Sequence, residues 1–546
     1  MRSTHWFEQA RYAALAVSMG LTVLLTSCAV SPRYTTPVEP EAVPMEKAFS
    51  FLHAEGTRTV DEKGRRVALK GCNLGNWLLL EMWMMEVKDA RDDYEFKSIL
   101  EKRFGVEGKD RLMEVFRENW ITERDFEMVR SFGFNVVRLP FDYTLLEDDA
   151  RPFVLKKDAF KWLDAALEWA EKNGLYVILD MHGVPGRQST DHCCGRADYN
   201  RFWSDKSFRD RTVWLWKEIA QRYKDRPAVA AYEPINEPFG DYKTEDHLPM
   251  LIDVMDELYK TIRSVDPRHL IVIPGVRQGI TFYGPPHARG WENILFTEHY
   301  YAGVHHGDAS LETHRWQINR QMAWLNDYLE ETRMPFLLGE FNVVFGKAGG
   351  PLMMRHYYDL FEERGWWGTL WTYKLVQNYA GVGKDNWYMV KNAEPRAPVS
   401  IRSASYEEIE AWFRWFGSMD YAVYENLRTA LTATDYEHLE LEETPPPTRT
   451  PFADAIPGWQ AGDVAATPAG GQRVFSGSRM DVYGGGRDIW NDHDEFRFVW
   501  QTVDGDFTLE ATVTNLDAVN PFTKAGIMIR KGLEPGARGL QRGRRG

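Results

Sequence analysis

Eight short apolar runs, each followed by a longer amphipathic stretch, constrain this chain more than any other feature. The runs are Val67–Leu74, Phe134–Phe141, Leu175–Met181, Val229–Ile235, Leu270–Val276, Ile294–Tyr300, Pro335–Phe341 and Gly368–Tyr373. Between them lie helical segments: Thr122–Phe132, Ala159–Asn173, Ser207–Tyr223, His247–Val265, Thr313–Glu331 and Met353–Arg364. In the second of these, Phe160, Leu163, Leu167 and Ala170 recur at helical spacing until Asn173-Gly174 ends the segment. The fifth connection, Arg277–Asn293, is weakly helical and rich in Gly and Pro. Runs that are continuously apolar rather than alternating belong to a parallel sheet buried on both faces. Eight such units in succession predict an α/β fold, a (β/α)8 TIM barrel. A doubly wound open sheet is the alternative, but no Gly-rich phosphate loop follows the first run.

The flanks read differently. Residues 1–28 carry Arg2 and Arg11, an apolar run from Ala13 to Leu25, and then Leu25-Thr26-Ser27-Cys28. The run is too short for a comfortable bilayer span and has signal-peptide proportions. Its ending resembles a bacterial lipobox, which implies lipidation at Cys28, a cell-envelope location (periplasmic or outer-membrane surface) and membrane contact through the lipid anchor only. Residues 29–50, with Pro32, Pro37, Pro40 and Pro44, read as a flexible tether. The barrel is assigned to 51–441 and a stiff Pro/Thr linker to 442–451. Residues 452–536 turn all-β: Phe496, Phe498 and Trp500 alternate, an Asp504-Gly505 turn follows, then Phe507, Leu509, Ala511 and Val513. Three strands, Glu495–Val503, Phe507–Asn515 and Ala525–Arg530, are too few to close a sandwich. The reading is therefore a partial sandwich, truncated or frameshifted near Gly536, with 537–546 a disordered Arg/Gly tail. The alternative is a small sandwich that recruits short strands within Gly458–Tyr483.

Lys+Arg number 66 and Asp+Glu 80, for a net charge of −14. An acidic chain with no long basic stretch in its body is not built to neutralise phosphates, so nucleic acid is excluded as a partner. The 21 Trp and 24 Tyr supply flat faces of the kind that stack on sugar rings, and carboxylates can do bond chemistry there. Apart from Cys28 the cysteines are Cys72, Cys193 and Cys194, an odd number that forms no full disulfide framework. Cys72 could bridge to one of the pair. His192-Cys193-Cys194 does not match zinc-site spacing, so no metal and no cofactor is expected.

A barrel places its active site at the C-terminal ends of its strands. Polar residues gather there: Arg138, His182, Asn236-Glu237, His299-Tyr300-Tyr301, Glu340 and Trp371. Singly, Arg138 could salt-bridge a neighbour, His182 could be a satisfied core imidazole, and Trp371 could be packing. Together they make a ring that holds two glutamates. Glycoside hydrolysis needs one protonated and one ionised carboxyl across the scissile bond, and ~5–5.5 Å between them is the retaining geometry. Like charges that close push one carboxyl toward its protonated form.

Tyr232-Glu233-Pro234-Ile235-Asn236-Glu237-Pro238 resembles the acid/base signature of glycoside hydrolase family 5, and the strand-end set follows that family's order over roughly residues 55–435. The resemblance implies Glu237 as acid/base and Glu340 as nucleophile. It also implies Asn236 on the sugar 2-hydroxyl, Arg138 and Tyr301 tuning Glu340, His182 and His299 on sugar or carboxylates, and Trp371 flooring the −1 subsite. Gly71-Cys72-Asn73-Leu74-Gly75-Asn76-Trp77-Leu78-Leu79-Leu80-Glu81, with Asp180–Gly186 and Trp371-x-x-Lys374, is similar to the exo-β-1,3-glucanase branch. In that branch the residue matching Glu81 reaches the 4- and 6-hydroxyls of the terminal sugar. The chain departs from the branch at Asn76, where Gly is usual, and at the His192-Cys193-Cys194 loop. The C-terminal piece resembles the start of a concanavalin-like sandwich.

The expectation is a monomeric, lipid-anchored retaining β-glycosidase acting on a β-glucan polysaccharide or oligosaccharide, with 1,3-linkage leading. Its alternatives are an endo-β-1,4-glucanase or another β-glycan hydrolase of the same family and, in a different class, a non-catalytic carbohydrate-binding lipoprotein.

Overall fold

The computed structural model describes residues 49–240, 247–276, 279–301, 311–343, 349–378, 387–434, 458–464, 471–476, 479–483, 489–490, 493–494, 496–511, 524–533 and 539–545. Cys28, the signal segment, the Pro/Thr linker and all but the last two tether residues lie outside them.

Each apolar run overlaps one strand: β1 Lys70–Asn73, β2 Val136–Asp142, β3 Tyr176–Gly183, β4 Val229–Glu233, β5 Leu270–Pro274, β6 Ile294–Tyr300, β7 Phe336–Phe341 and β8 Trp367–Leu370. They pair in chain order, all parallel, and β8 returns to β1 through Gly368↔Lys70, Thr369↔Gly71 and Leu370↔Cys72. The sheet is a closed (β/α)8 barrel. β2, β4, β5 and β7 are buried along their whole lengths, which is why their sequences do not alternate. Closure is tight at Gly71, where a Cβ would stand 1.8 Å from the Val136 carbonyl oxygen.

The helices are α1 Asp93–Trp120, α2 Glu123–Ser131, α3 Lys161–Lys172, α4 Lys206–Tyr223, α5 Leu248–Arg263, α6 Leu311–Thr332, α7 Gly350–Arg364, α8 Tyr406–Ser418 and α9 Glu425–Thr432. The apolar period predicts α2 to α7. It misses α1, whose interior is broken at Gly105 (φ 75°), and also α8 and α9. Phe96 and Phe116 of α1 pack on Phe413 of α8, so the helix after the last strand covers the helix after the first. Among the described residues two 3-10 turns, Thr281–Tyr283 and Pro286–Arg289, stand between β5 and β6 in place of an α-helix. Leu52, Leu69, Val136, Ile178, Leu270, Leu295, Leu337 and Trp367 form an apolar cluster near the N-terminal strand ends, leaving the opposite mouth to polar side chains.

Past the barrel the structure corrects several expectations. Its described residues form two-stranded antiparallel sheets: 460–464 with 496–500, 471–476 with 479–483, 489–490 with 493–494, and 524–530 with 539–545. The short strands within 458–483 are therefore formed. Gly505 turns with φ 83°, yet residues 501–511 carry no strand, and Phe507 and Leu509 are exposed. The tail expected to be disordered supplies a strand, with Ile527 opposite Arg542 and Ile529 opposite Leu540. A ladder satisfies backbone donors and acceptors whatever the side chains, so apolar content alone misjudged this segment. The disulfide alternative is also corrected: Cys72, Cys193 and Cys194 are free, Cys72 lying in the barrel wall and the pair on a loop above β3.

Candidate active site

Arg138 on β2 is fully buried and organises the mouth. Its guanidinium donates to both Glu233 oxygens (2.7 and 2.8 Å), to Asn73 Oδ1 (2.9 Å), to Asn236 Oδ1 (2.7 Å) and to Glu340 Oε1 (2.8 Å). Asp180 Oδ2 lies 3.0 Å away. Three carboxylates around one planar cation are the use to which a five-donor fork is suited. Asn73, Asp180 and Glu233 were not assigned roles from sequence. All three stand inside the quoted strand motifs, facing the barrel axis one or more residues before the predicted site residues.

Glu340, next to last in β7, has its other oxygen accepting from the Tyr301 hydroxyl at 2.6 Å, and His299 Nδ1 lies 3.6 Å off. Gly339 makes room for that ring, since a Cβ there would meet His299 Nε2 at 2.9 Å. Glu237 follows β4 on left-handed backbone, φ 36°, a costly conformation for a residue with a side chain. Gln188 holds the turn: its Nε2 donates to the Asn236 and His182 carbonyls, and its own carbonyl accepts the Phe239 N–H at 2.7 Å. Glu237 Oε1 is 2.6 Å from His299 Nδ1, and Glu237 Oε2 accepts from the Cys193 thiol at 3.5 Å.

His182 bonds Asp180 through Nδ1 (2.7 Å), faces Asn236 Nδ2 at 3.2 Å, and stacks on Trp371 with centroids 5.6 Å apart. Glu81 is nearly buried just beyond β1, where Trp83 Nε1 donates to it at 2.6 Å and His192 Nε2 lies at 3.4 Å. The departure at Asn76 has a physical reason. Its φ of 63° is one that glycine adopts freely and asparagine tolerates, and its Oδ1 accepts the Glu81 N–H at 2.7 Å.

The electrostatics distribute one proton unevenly. Burial would raise the Glu237 carboxyl, but the hydrogen bond and charge of His299 outweigh it, with help from His182 and Cys193, and hold it at about 2. Burial lowers His299, yet the Glu340 charge and the contact with Glu237 raise it above 6.5. Glu340 is raised above 4.5, chiefly by burial and the Glu237 charge against the pull of His299 and Arg138. Burial would lower His182 as well, but Asp180 raises it to about 9. With no substrate bound, the proton shared by Glu237 and His299 sits on the imidazole. One donor atom each of Glu237, His299 and Glu340 lies within 4.8 Å of the others, a set that could hold a metal ion. These groups are already bonded to one another, to Arg138 and to Tyr301.

With this geometry in hand, the comparisons decide the family. A profile described as Cellulase (glycosyl hydrolase family 5) matches residues 99–376. The chain belongs to glycosyl hydrolase family 5. As a family 5 glycosidase it is 30% identical over 363 residues to "Beta-xylosidase" of Phanerodontia chrysosporium, covering 62% of this chain and 75% of that one. It is 29% identical over 287 residues to "Glucan 1,3-beta-glucosidase" of Candida oleophila, with 47% and 65% covered. It is 33% identical over 158 residues to "Endoglucanase C" of Acetivibrio thermocellus, with 29% and 43% covered. The chain thus spans less than two thirds of the latter two relatives.

Proposed function

We propose that this family 5 glycosidase is a retaining, exo-acting β-glucosidase of β-1,3-glucan, with Glu340 as nucleophile and Glu237 as acid/base. The observation that carries the reading is the facing pair, with oxygens of Glu237 and Glu340 and a nitrogen of His299 within 4.8 Å of one another. That closeness supports the retaining geometry, in which the carboxyls stand about 5–5.5 Å apart, over the wider spacing of an inverting pair. Glu340 Oε1 is held by Arg138 and Oε2 by Tyr301, an arrangement that aims an ionised carboxylate.

In the first step Glu340 attacks the anomeric carbon, the C1–O bond to the leaving group breaks, and that oxygen takes a proton. The attack consumes the charge that stabilises His299 as imidazolium. His299 then becomes a stronger acid and passes its proton across the 2.6 Å contact to Glu237, which protonates the departing oxygen. Water next attacks C1, its proton returns to Glu237 and His299, and Glu340 is released as carboxylate. A rate profile checks this sign by sign. The acidic limb of kcat/KM should lie above 4.5, because Glu340 must be ionised and is raised. The basic limb should lie above 6.5, because the shared proton is held by a raised His299. A basic limb below 6.5 would remove His299 from the relay.

The exo assignment rests on Glu81, anchored by Trp83 and His192 so that its carboxylate can read the hydroxyls of a terminal sugar. A second reading, action on β-xylosides, is favoured by the 363-residue match to a protein named beta-xylosidase. Product analysis on laminari-, cello- and xylo-oligosaccharides tests both. Glucose released singly from laminari-oligosaccharides is expected. Mixed oligomers from any of the three would make the enzyme endo-acting, and xylose as the preferred product would select the second reading.

A further inference from the structure

The turn that breaks the exo-glucanase pattern, His192–Cys194, touches two carboxylates of the site at once. His192 reaches Glu81, and Cys193 reaches Glu237. The turn is anchored from beneath. The buried Arg187 pairs with Asp142 (2.5 Å) and donates to the Cys194 carbonyl (2.8 Å), while the Gly195 carbonyl accepts the Tyr94 N–H at 2.9 Å. The Cys194 thiol bonds the Ser189 and Asp191 carbonyls. Even Gly183 is recruited, since a Cβ there would meet Arg187 Nη1 at 2.4 Å and the Cys194 carbonyl oxygen at 2.6 Å. The position of Cys193 is therefore fixed by contacts other than its own thiol.

We propose that Cys193 is a positioning residue for Glu237: its S–H donates to Oε2 while His299 grips Oε1, so the carboxyl is held at both oxygens. The proposal rests on the reading of Glu237 as acid/base. Burial, and then the Glu237 charge, push the Cys193 thiol far above its ordinary range, so it keeps its proton and acts as donor. The groups facing Glu237 are His299 from β6, Tyr301 just beyond it, Glu340 from β7, His182 from β3 and Cys193 itself. Those facing Cys193 are Glu237, Glu81, Asp191 and Cys194.

A donor to the ionised carboxyl draws off part of its charge and weakens its hold on the His299 imidazolium, so removing that donor raises His299 further and moves the basic limb upward. For Cys193→Ala the expected shift is about half a pH unit. With the carboxyl free to swing, kcat/KM on alkyl glucosides should fall about tenfold, while dinitrophenyl glucosides, which need little protonation, should change less than about twofold. Cys193→Val fills the space without a donor and should behave like alanine, which separates loss of the hydrogen bond from loss of packing. Cys193→Ser should restore both the limb and the leaving-group response. Superimposition of Cys193→Ala on wild type, or a valine variant that behaves as wild type, would overturn the proposal. The Glu237→Ala variant on the same substrates keeps the two readings apart. If it is equally impaired on both leaving groups, the acid/base assignment fails. If it spares dinitrophenyl glucosides while Cys193→Ala matches wild type, only the positioning role fails.

Discussion

Glu340→Ala should lower kcat/KM by roughly 10⁴–10⁶-fold, the scale on which losing a covalent nucleophile falls. Added azide should restore turnover of a dinitrophenyl glucoside and yield the α-glycosyl azide. The geometry gives the reason. The side chain removed is the one that Arg138 and Tyr301 aim from either side, and its truncation leaves space for a small anion beside a cationic guanidinium. Arg138 and His299 then favour an anion where the carboxylate had been. Glu237→Ala should differ in kind, losing about 10²–10⁴-fold on alkyl glucosides and little on activated ones. Proton NMR of wild-type product should show the β-anomer first. An α-anomer first, or an alanine variant that azide cannot rescue, would sink the nucleophile assignment. Full activity in the alanine variant would do so as well. A wild-type protein inert on every β-glycoside would instead return the binding-protein alternative.

What the sequence disclosed, and what it hid, follows from the range of the interactions involved. The barrel strands are legible because burial on both faces forces local composition, as in Leu270–Pro274, where every residue is apolar and buried. The strand-end positions of Glu237 and Glu340 are legible because the apolar runs mark where β4 and β7 stop. Asp180 and Glu233 were on view in the same motifs, but their function is to neutralise Arg138 from two other strands, and no local pattern states that pairing. Gln188 and Cys193 are harder still, being loop residues whose partners depend on how the β3 and β4 loops meet. The strand at 539–545 shows the converse failure. Its composition argued for disorder, yet its structure is a backbone ladder that composition does not encode.

Arg138→Met should be the most destabilising single change in the barrel mouth and should also abolish turnover. The guanidinium is fully buried and neutralises Asp180, Glu233 and Glu340, so its removal takes from Glu233 the cation bonded to both its oxygens and leaves Asp180 and Glu340 only the imidazoles of His182 and His299. Breaking a buried pair this way costs about 3–5 kcal/mol, which should lower the melting temperature by about 5 °C or more. Arg138→Lys separates charge from geometry. An ammonium keeps the cation, so much of the stability should return, but a point charge cannot bond Glu233 at both oxygens, Asn73, Asn236 and Glu340 together. Misplacement of Glu340 on that account should hold activity down about 10²-fold or more. The pH profile supplies a readout that a purely structural role would not move. Arg138 lowers the Glu340 carboxyl, so weakening its contact raises that group and shifts the acidic limb of kcat/KM to higher pH. A lysine variant with wild-type melting, an unmoved acidic limb and normal kcat would show that Glu340 is tuned by something other than Arg138.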